Sequence, residues 1–511
     1  MVRILEAGEA VCAVPSGATV VIGGSGGGHA VPEALIRALE AHYLKTAEPS
    51  GLTVVHPVGI GDKNEQGAHR LRHKGLLRRV VCGTVVDAPG IAEAAAREDL
   101  ELFTLPQGSL SQLMRESAGG RPGLFTDVGV GTFVDPRLGG GSQGAPAEDP
   151  PSEAVEIDGA PHIRYLPLRP DVAFLRGSTA DERGNISMEE EAYFGEMLSM
   201  AQAAHNSGGQ VIVQVARVVP AGSIPPKQVK IPHFLVDTVV LDPDQRTTYA
   251  TASSPAFAGQ ERVDVGTLDA LPKGSRGLIA RRAARELSPG AVCNLGSGIS
   301  TGVSIAAAES GILSSVVLTN EQGLNGGLPM SGLDAGAAVN YEAMIDQPYQ
   351  FDFYDGGGLD TAFLSFAEIS ARGDVNISRF GGRIVGVGGF VNISQAAAKV
   401  VFSGTLTAGG LEVAWDRSAR ALRVVTEGRA RRFVSAVEQI CFNGPLSQQR
   451  GQEVVFITER CVFRLAGGGL ELVEVAPGID IDRDIRANVD LDFSVAEDMT
   501  PMDHRLFDAS Y

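Results

Sequence analysis

The stretch Thr-Val-Val-Ile-Gly-Gly-Ser-Gly-Gly-Gly-His-Ala-Val-Pro-Glu-Ala-Leu, residues 19–35, decides the fold class. Residues 19–23 open on a β-branched apolar run, the pattern of a strand buried on both faces. A glycine turn follows, and then a helix predicted over residues 32–42. Pro32 suits the start of that helix, where the N–H it lacks would have no intrahelical partner. Leu52–His56 is apolar again and reads as the next strand. Strand, glycine turn, helix and strand in this order imply a parallel sheet, because parallel neighbours need a crossover between them.

The same order returns downstream. Residues 291–295 predict a strand, Gly296-Ser297-Gly298 a turn, residues 302–310 a helix and residues 315–319 another strand. A second pattern links the two regions. Asp171-Val-Ala-Phe-Leu leads to Gly184-Asn-Ile-Ser, and Asp360-Thr-Ala-Phe-Leu leads to Gly373-Asp-Val-Asn-Ile-Ser, with an Asp-to-Gly spacing of thirteen in both. Two shared patterns in one order predict two related open α/β domains with mainly parallel sheets. A repeat this long is a domain duplication rather than a solenoid. The expected boundaries are residues 1–245 for the first half, a polar, proline-dotted linker over 246–275, and 276–511 for the second half. Residues 138–152, rich in Gly, Pro and Ser, predict an exposed loop. Short β-type runs at 423–426, 454–458, 462–465 and 470–475 predict a β-rich C-terminal extension.

The 511 residues are enough for a large buried core, and 44% hydrophobic with 20% charged is an ordinary globular balance. A formal net charge of −18 argues against nucleic acid or an anionic membrane as partner, since both need basic surface. No run of about eighteen apolar residues occurs to span a bilayer, and the acids near the N-terminus are unlike a signal peptide. Five widely spaced cysteines without a CxxC pair disfavour zinc and suit reduced thiols in a cytoplasmic protein. The 64 glycines cluster at strand ends, where backbone can approach a ligand closely.

The chemistry concentrates around Val-Val-Leu-Thr-Asn-Glu-Gln-Gly-Leu-Asn-Gly-Gly-Leu-Pro, residues 316–329. Glu321 falls just past the C-terminal end of a strand, the edge at which open α/β sheets bind ligands. One reading makes it a reacting carboxylate in a site built from the residues after it. Another places it about twenty residues beyond the turn Gly296–Ser300, where a dinucleotide-binding domain keeps its ribose-binding acid. A third makes it a turn residue facing water. Three glycine turns are candidates for holding an anion. The loop Gly23–His29 could present N–H groups, or serve as a tight strand-to-helix turn; it is neither a P-loop nor the strict dinucleotide fingerprint. Asn294 to Gly302 resembles a nucleotide turn. Gly386-Val-Gly-Gly-Phe-Val-Asn-Ile, ending at residue 393, aims N–H groups at an oxyanion or marks a bend. Asp352, Asp355 and Asp360 read as turn acids more readily than metal ligands, Glu189-Glu190-Glu191 as a helix start or solvated face, and His29, His56, His69 and His73 as loop and core histidines. No Gly-x-Ser-x-Gly elbow is present, so a serine triad is disfavoured.

Taken together, the residues resemble a family I CoA-transferase of the fused two-half type, the acetate/propionate and 3-oxoacid group. The resemblance runs through Gly24-Ser-Gly-Gly-Gly-His-Ala-Val-Pro-Glu-Ala-Leu, Val55-His-Pro-Val-Gly-Ile-Gly-Asp, Leu105-Pro-Gln-Gly, Gly131-Thr-Phe-Val-Asp-Pro-Arg and Thr179-Ala-Asp-Glu-Arg-Gly-Asn-Ile-Ser in the first half. In the second half it rests on Phe351-Asp-Phe-Tyr-Asp-Gly-Gly-Gly-Leu-Asp, Ser378-Arg-Phe-Gly, the Gly386 segment and Ala476-Pro-Gly-Ile-Asp. The family's Glu-x-Gly-x-x-Gly-Gly segment maps onto Glu321, Gly323, Gly326 and Gly327. The resemblance implies Glu321 as the catalytic residue. It implies oxyanion or CoA contacts at Gly388, Gly389, Gly24, Ser25, Gly26, Gly27, Gly296, Ser297, Gly298, Ile299 and Ser300. Asn320, Gln322, Gly323, Asn325, Gly326, Gly327, Gln107 and Asn340 are its substrate-pocket candidates. Asn320 and Asn325 stand where the family has aliphatic residues, and Ser297, Ser300 and Thr301 replace its commoner Ile and Pro-Glu.

The expected activity is transfer of CoA from a short-chain acyl-CoA to a free carboxylic acid, by a ping-pong route through a glutamyl-CoA thioester. CoA is then a substrate, with no permanently bound cofactor and no metal, and the protein is expected to be a cytoplasmic homodimer or homotetramer. The alternatives are an acyl-CoA hydrolase using the same glutamate, a dinucleotide-dependent oxidoreductase, and a non-catalytic acyl-CoA-binding protein.

Overall fold

The computed structural model describes residues 2–264 and 270–511, so residues 265–269 of the expected linker lie outside the described residues. Two compact units emerge. One takes in the chain up to Val263 together with Glu321–Asp352 and Arg383–Asn392; the other takes in Asp264–Asn320, Phe353–Gly382 and Ile393–Tyr511. The units therefore do not follow the two sequence halves: Glu321 and the Gly388 segment pack within the unit that the N-terminal half builds.

The first unit is organised on an 8-stranded sheet. In spatial order its strands are Arg3–Leu5, Thr238–Leu241, Gln210–Val215, Val172–Arg176, Thr19–Ile22, Leu52–His56, Leu77–Cys82 and Glu101–Thr104. Every pairing is parallel. Its central strands carry the buried β-branched runs seen in the sequence; all five residues of Leu52–His56 are buried. The helix Glu33–Thr46 packs Leu35, Ile36 and Leu39 into the same core as Val20, Ile22 and Val54. Leu35 and Ile36 each lie one turn before Leu39, the i, i+4 and i, i+3 spacing of a single apolar face. Pro32 stands at the N-cap, one residue before the helix begins. Residues 141–145 are not a loose exposed loop. The Gly141 carbonyl accepts from Thr104 N–H (2.9 Å), and Gln143 and Ala145 donate to Leu102 (2.8 Å) and Leu100 (3.0 Å), so the segment covers the edge strand of the sheet.

In the second unit the strands run Val317–Thr319, Val292–Leu295, Thr361–Ser365, Lys399–Ser403, Glu453–Ile457, Cys461–Ala466, Gly469–Val475 and Ser494–Pro501. The first five are parallel, and the next two add antiparallel, giving the β-rich C-terminal part. The repeated Asp…Gly pattern has a physical cause visible in both units. Asp171 accepts the Thr19 N–H at 2.8 Å and Asp360 the Val292 N–H at 2.8 Å, each carboxylate tying the start of one central strand to its neighbour. Farther on, Thr179–Asp181 pairs with Ile186–Ser187, and Glu368–Ser370 with Val375–Asn376, both antiparallel around a glycine at positive φ, Gly184 or Gly373.

Residues 246–263, read as linker, belong to the first unit. Tyr249 donates its N–H to the Gly27 carbonyl (2.7 Å) and its hydroxyl to Glu33 (2.6 Å), and Asn340 holds both backbone groups of Val263, at 2.9 and 2.8 Å.

Candidate active site

Glu321 lies in a turn, partly exposed, with Gln322 buried behind it. The Gln322 amide is 3.5 Å from the Glu321 carboxylate and 3.4 Å from the Ser25 hydroxyl, so it links the glutamate to the first glycine loop. The glycines after Glu321 serve the backbone. Leu324–Asn325 pairs with Ala343–Met344, and Leu328–Pro329 with Ala338–Val339. At Gly323 a Cβ would lie 2.1 Å from the Ile345 carbonyl, and at Gly327 2.2 Å from that of Val339. Gly326 turns the same hairpin with positive φ, and Asn325 donates to the Gly323 carbonyl at 3.2 Å. The glycine run read as a site around the carboxylate is thus a narrow hairpin that holds the carboxylate at its base. Asn340, a pocket candidate, has both ends of its amide occupied by Val263. Asn320 is buried.

The loop Gly23–His29 closes on itself. Ser25 N–H donates to His29 O (2.9 Å), His29 N–H to Ser25 O (3.0 Å), and Gly26 N–H to Gly59 O (2.6 Å). A Cβ at Gly27 would stand 1.9 Å from the Leu333 carbonyl. His29 is buried with Nδ1 3.1 Å from Ser25 O, and burial lowers its pKa, so the ring is neutral near pH 7. Gly388 N–H donates to Gly83 O at 2.8 Å, and the Gly388 carbonyl accepts from Gln107 N–H at 2.9 Å. Three expected oxyanion donors, Ser25, Gly26 and Gly388, therefore already have their N–H groups on carbonyls. Gly27 and Gly389 remain from that set, with Gly389 just ahead of the helix Phe390–Ala396, while the Gly24 N–H faces the buried Tyr193 hydroxyl oxygen.

Gln107 opens the helix Gln107–Ala118 and is buried. It leads to polar residues that sequence reading missed. Gln107 Nε2 donates to Gln347 Oε1 (3.1 Å), Gln347 Nε2 donates to Glu196 Oε2 (2.9 Å), and Ser111 Oγ donates to the same oxygen (2.6 Å). Glu196 is fully buried, and burial pushes its pKa up to about 7. Glu191, read with its neighbours as a helix start or solvated face, is instead buried against Arg176, its carboxylate 3.0 Å from the guanidinium. Burial raises its pKa, opposed by that guanidinium. No local motif marks either glutamate; each became notable only when the fold removed its water.

The turn Gly296–Ser300 lies in the second unit. Gly296 N–H donates to Phe363 O at 2.8 Å, and Ser365 donates to the Ser297 carbonyl at 3.0 Å. Ser297 and Gly298 are exposed, Ile299 is half-buried, and Ser300 is buried. Asp352 forms two hydrogen bonds with Arg115, and Asp360 has its strand-anchoring role. Among the described residues no helix is long and apolar enough to cross a membrane.

The family model described as coenzyme A transferase matches residues 4–242. Acetate CoA-transferase YdiF of Escherichia coli (strain K12) is 40% identical over 507 residues, which cover 99% of this chain and 95% of YdiF. The chain belongs to the coenzyme A transferase family. Caffeate CoA-transferase of Acetobacterium woodii is also 40% identical, over 99% of this chain and 98% of its own length. A crystal structure of YdiF from Escherichia coli O157:H7, described as a thioester complex with CoA, superposes with a TM-score of 0.94 at 39% identity, covering 99% of this chain and 96% of that one. The protein is thus a CoA-transferase with CoA and acyl-CoA as substrates, and the oxidoreductase and non-catalytic readings fall away.

Proposed function

We propose that this CoA-transferase works by a ping-pong route in which Glu321 carries CoA as a glutamyl thioester between a short-chain acyl-CoA and a free carboxylate. The observation that carries the proposal is a partly exposed carboxylate beside buried Gln322 and Ser25, at the base of a glycine hairpin. Similarity over nearly the whole chain to a transferase with a solved CoA thioester complex supports it.

The chemistry balances without metal or ATP. A Glu321 carboxylate oxygen attacks the thioester carbonyl carbon and expels CoA thiolate, leaving a mixed anhydride. The thiolate attacks the glutamyl carbonyl of that anhydride and releases the first acid as its carboxylate. The acceptor carboxylate then attacks glutamyl-CoA, expelling the thiolate, which attacks the acceptor's carbonyl in the new anhydride. Acyl-CoA leaves and the Glu321 carboxylate is restored. Each attack passes through a tetrahedral oxyanion that needs preorganised donors. The Gly389 N–H and the Gln107 amide beside the Gly388 turn are proposed for that role, and the Gly296–Ser300 turn for a CoA contact. A homodimer or homotetramer is proposed from the family resemblance.

Brief incubation with acetyl-CoA or propionyl-CoA followed by intact-protein mass spectrometry tests the route. A covalent CoA adduct on the parent, absent from Glu321→Gln, is expected. CoA binding without an adduct across a panel of acyl-CoAs would overturn it. Acetate, propionate, butyrate, acetoacetate and caffeate offered as acceptors rank the acids, and multiple-turnover release of free acid with no acceptor present, beyond the single equivalent that forming glutamyl-CoA sets free, would make the enzyme a hydrolase.

A further inference from the structure

We propose that Glu196 is a positioning residue whose protonation decides, through Gln347, which end of the Gln107 carboxamide faces the Gly388 turn. The inference rests on the Glu321 route above and extends it to the donors around the reacting carbonyl.

An ionised carboxylate only accepts hydrogen bonds. Glu196 Oε2 accepts from Ser111 Oγ at 2.6 Å and from Gln347 Nε2 at 2.9 Å, so the Gln347 amide must point its NH₂ toward the carboxylate. Its oxygen then faces Gln107 and accepts from Gln107 Nε2 at 3.1 Å. What remains of the Gln107 side chain is Oε1, which would lie 3.6 Å from a Cβ placed on Gly388. In this arrangement the amide offers the turn an acceptor, the wrong polarity for an oxyanion.

A proton on Glu196 reverses the sequence. The carboxylic O–H donates to Gln347 Oε1, the Gln347 NH₂ turns to Gln107 Oε1, and the Gln107 NH₂ turns to the Gly388 side as a donor. The proton moves on and off one buried carboxyl, so the overall reaction gains and loses none. Glu196 Oε1 is buried without a hydrogen-bond partner among the described residues, which leaves it open to carry the proton.

The charged surroundings leave Glu196 without a cation of its own. Asp346 disfavours its charge, and the buried Tyr193 phenol beside it stays neutral. Lys230 is held by Asp346 at 2.5 Å, and on the neighbouring helix Arg115 is held by Asp352 and Glu116 by Arg121. Burial brings the Glu196 pKa up to about 7, so both arrangements are populated near neutral pH.

The test is the pH profile of kcat for CoA transfer, read with the glutamyl-CoA adduct by mass. In the parent, kcat is expected to fall by ~10-fold per pH unit above a midpoint near the Glu196 pKa, as one required proton is lost. Glu196→Gln, which cannot ionise, should lose that fall. Ser111→Ala removes a donor to the ionised form and should move the midpoint to higher pH, which keeps the proposal falsifiable if Glu196→Gln fails to fold. An unchanged profile in a folded Glu196→Gln, or an unmoved midpoint in Ser111→Ala, overturns the proposal while the adduct still supports Glu321. Absence of the adduct in the parent instead overturns the Glu321 route.

Discussion

The two glycine turns that follow matching strands, Gly23–His29 in the first unit and Gly296–Ser300 in the second, begin alike and finish differently. Both open with a glycine N–H donated to a phenylalanine carbonyl on the adjacent strand, Gly23 to Phe174 at 3.0 Å and Gly296 to Phe363 at 2.8 Å. Past that point the first turn is sealed. Ser25 and Gly26 hydrogen-bond to backbone, and Gly27 has the Leu333 carbonyl where its Cβ would be. The second turn leaves Ser297 and Gly298 at the surface. A glycine-rich turn can therefore be a packing device or an open one on the same scaffold. Spacing alone does not separate the two; the neighbouring backbone does.

The largest expected effect separates chemistry from packing. Glu321→Gln should lower kcat by at least about 10⁴-fold, as losing a covalent nucleophile does, while leaving the thermal midpoint close to the parent's. A large fall in stability would make Glu321 part of the packing and blur the contrast between hairpin and carboxylate.

Next in size is the contrast between the turns themselves. Gly27→Ala should destabilise the protein by about 3 kcal/mol, because a methyl group must displace fixed backbone. Ser297→Ala should change stability by less than about 0.5 kcal/mol, since the side chain is exposed and the structural hydrogen bond there uses the Ser297 carbonyl. If the second turn contacts CoA, Ser297→Ala should raise KM for acyl-CoA. Equal melting temperatures for the two variants would erase the distinction between a sealed and an open turn.

The smallest effect tests the shared scaffold. Asp171→Ala and Asp360→Ala each remove a carboxylate that accepts a strand N–H at 2.8 Å. Each should cost about 1–2 kcal/mol in denaturant unfolding, with similar values for the pair. A gap above about 2 kcal/mol would show that the repeated aspartates no longer do the same work.

Much of the scaffold was legible in the chain. Buried runs such as Leu52–His56 and the repeated Asp-to-Gly spacing carry their own hydrogen-bonding logic, because a strand start and a tight turn are local demands on local residues. Glu321 was legible for the same reason, as a carboxylate just past a strand. The purpose of its glycines was not, because Gly323 and Gly327 answer to carbonyls of residues 345 and 339, which return only through the hairpin.

The sequence by itself determined two α/β scaffolds, their parallel strands and the carboxylate at a strand end, because periodicity and turn chemistry act over short spans. Tertiary structure alone decided which N–H groups already have partners, which half houses Glu321, and that Glu196 lies buried beside Gln347 and Ser111. Loss of water and the meeting of residues far apart in sequence are properties of the folded chain, and they set both the charge of Glu196 and the polarity of the amides that follow from it.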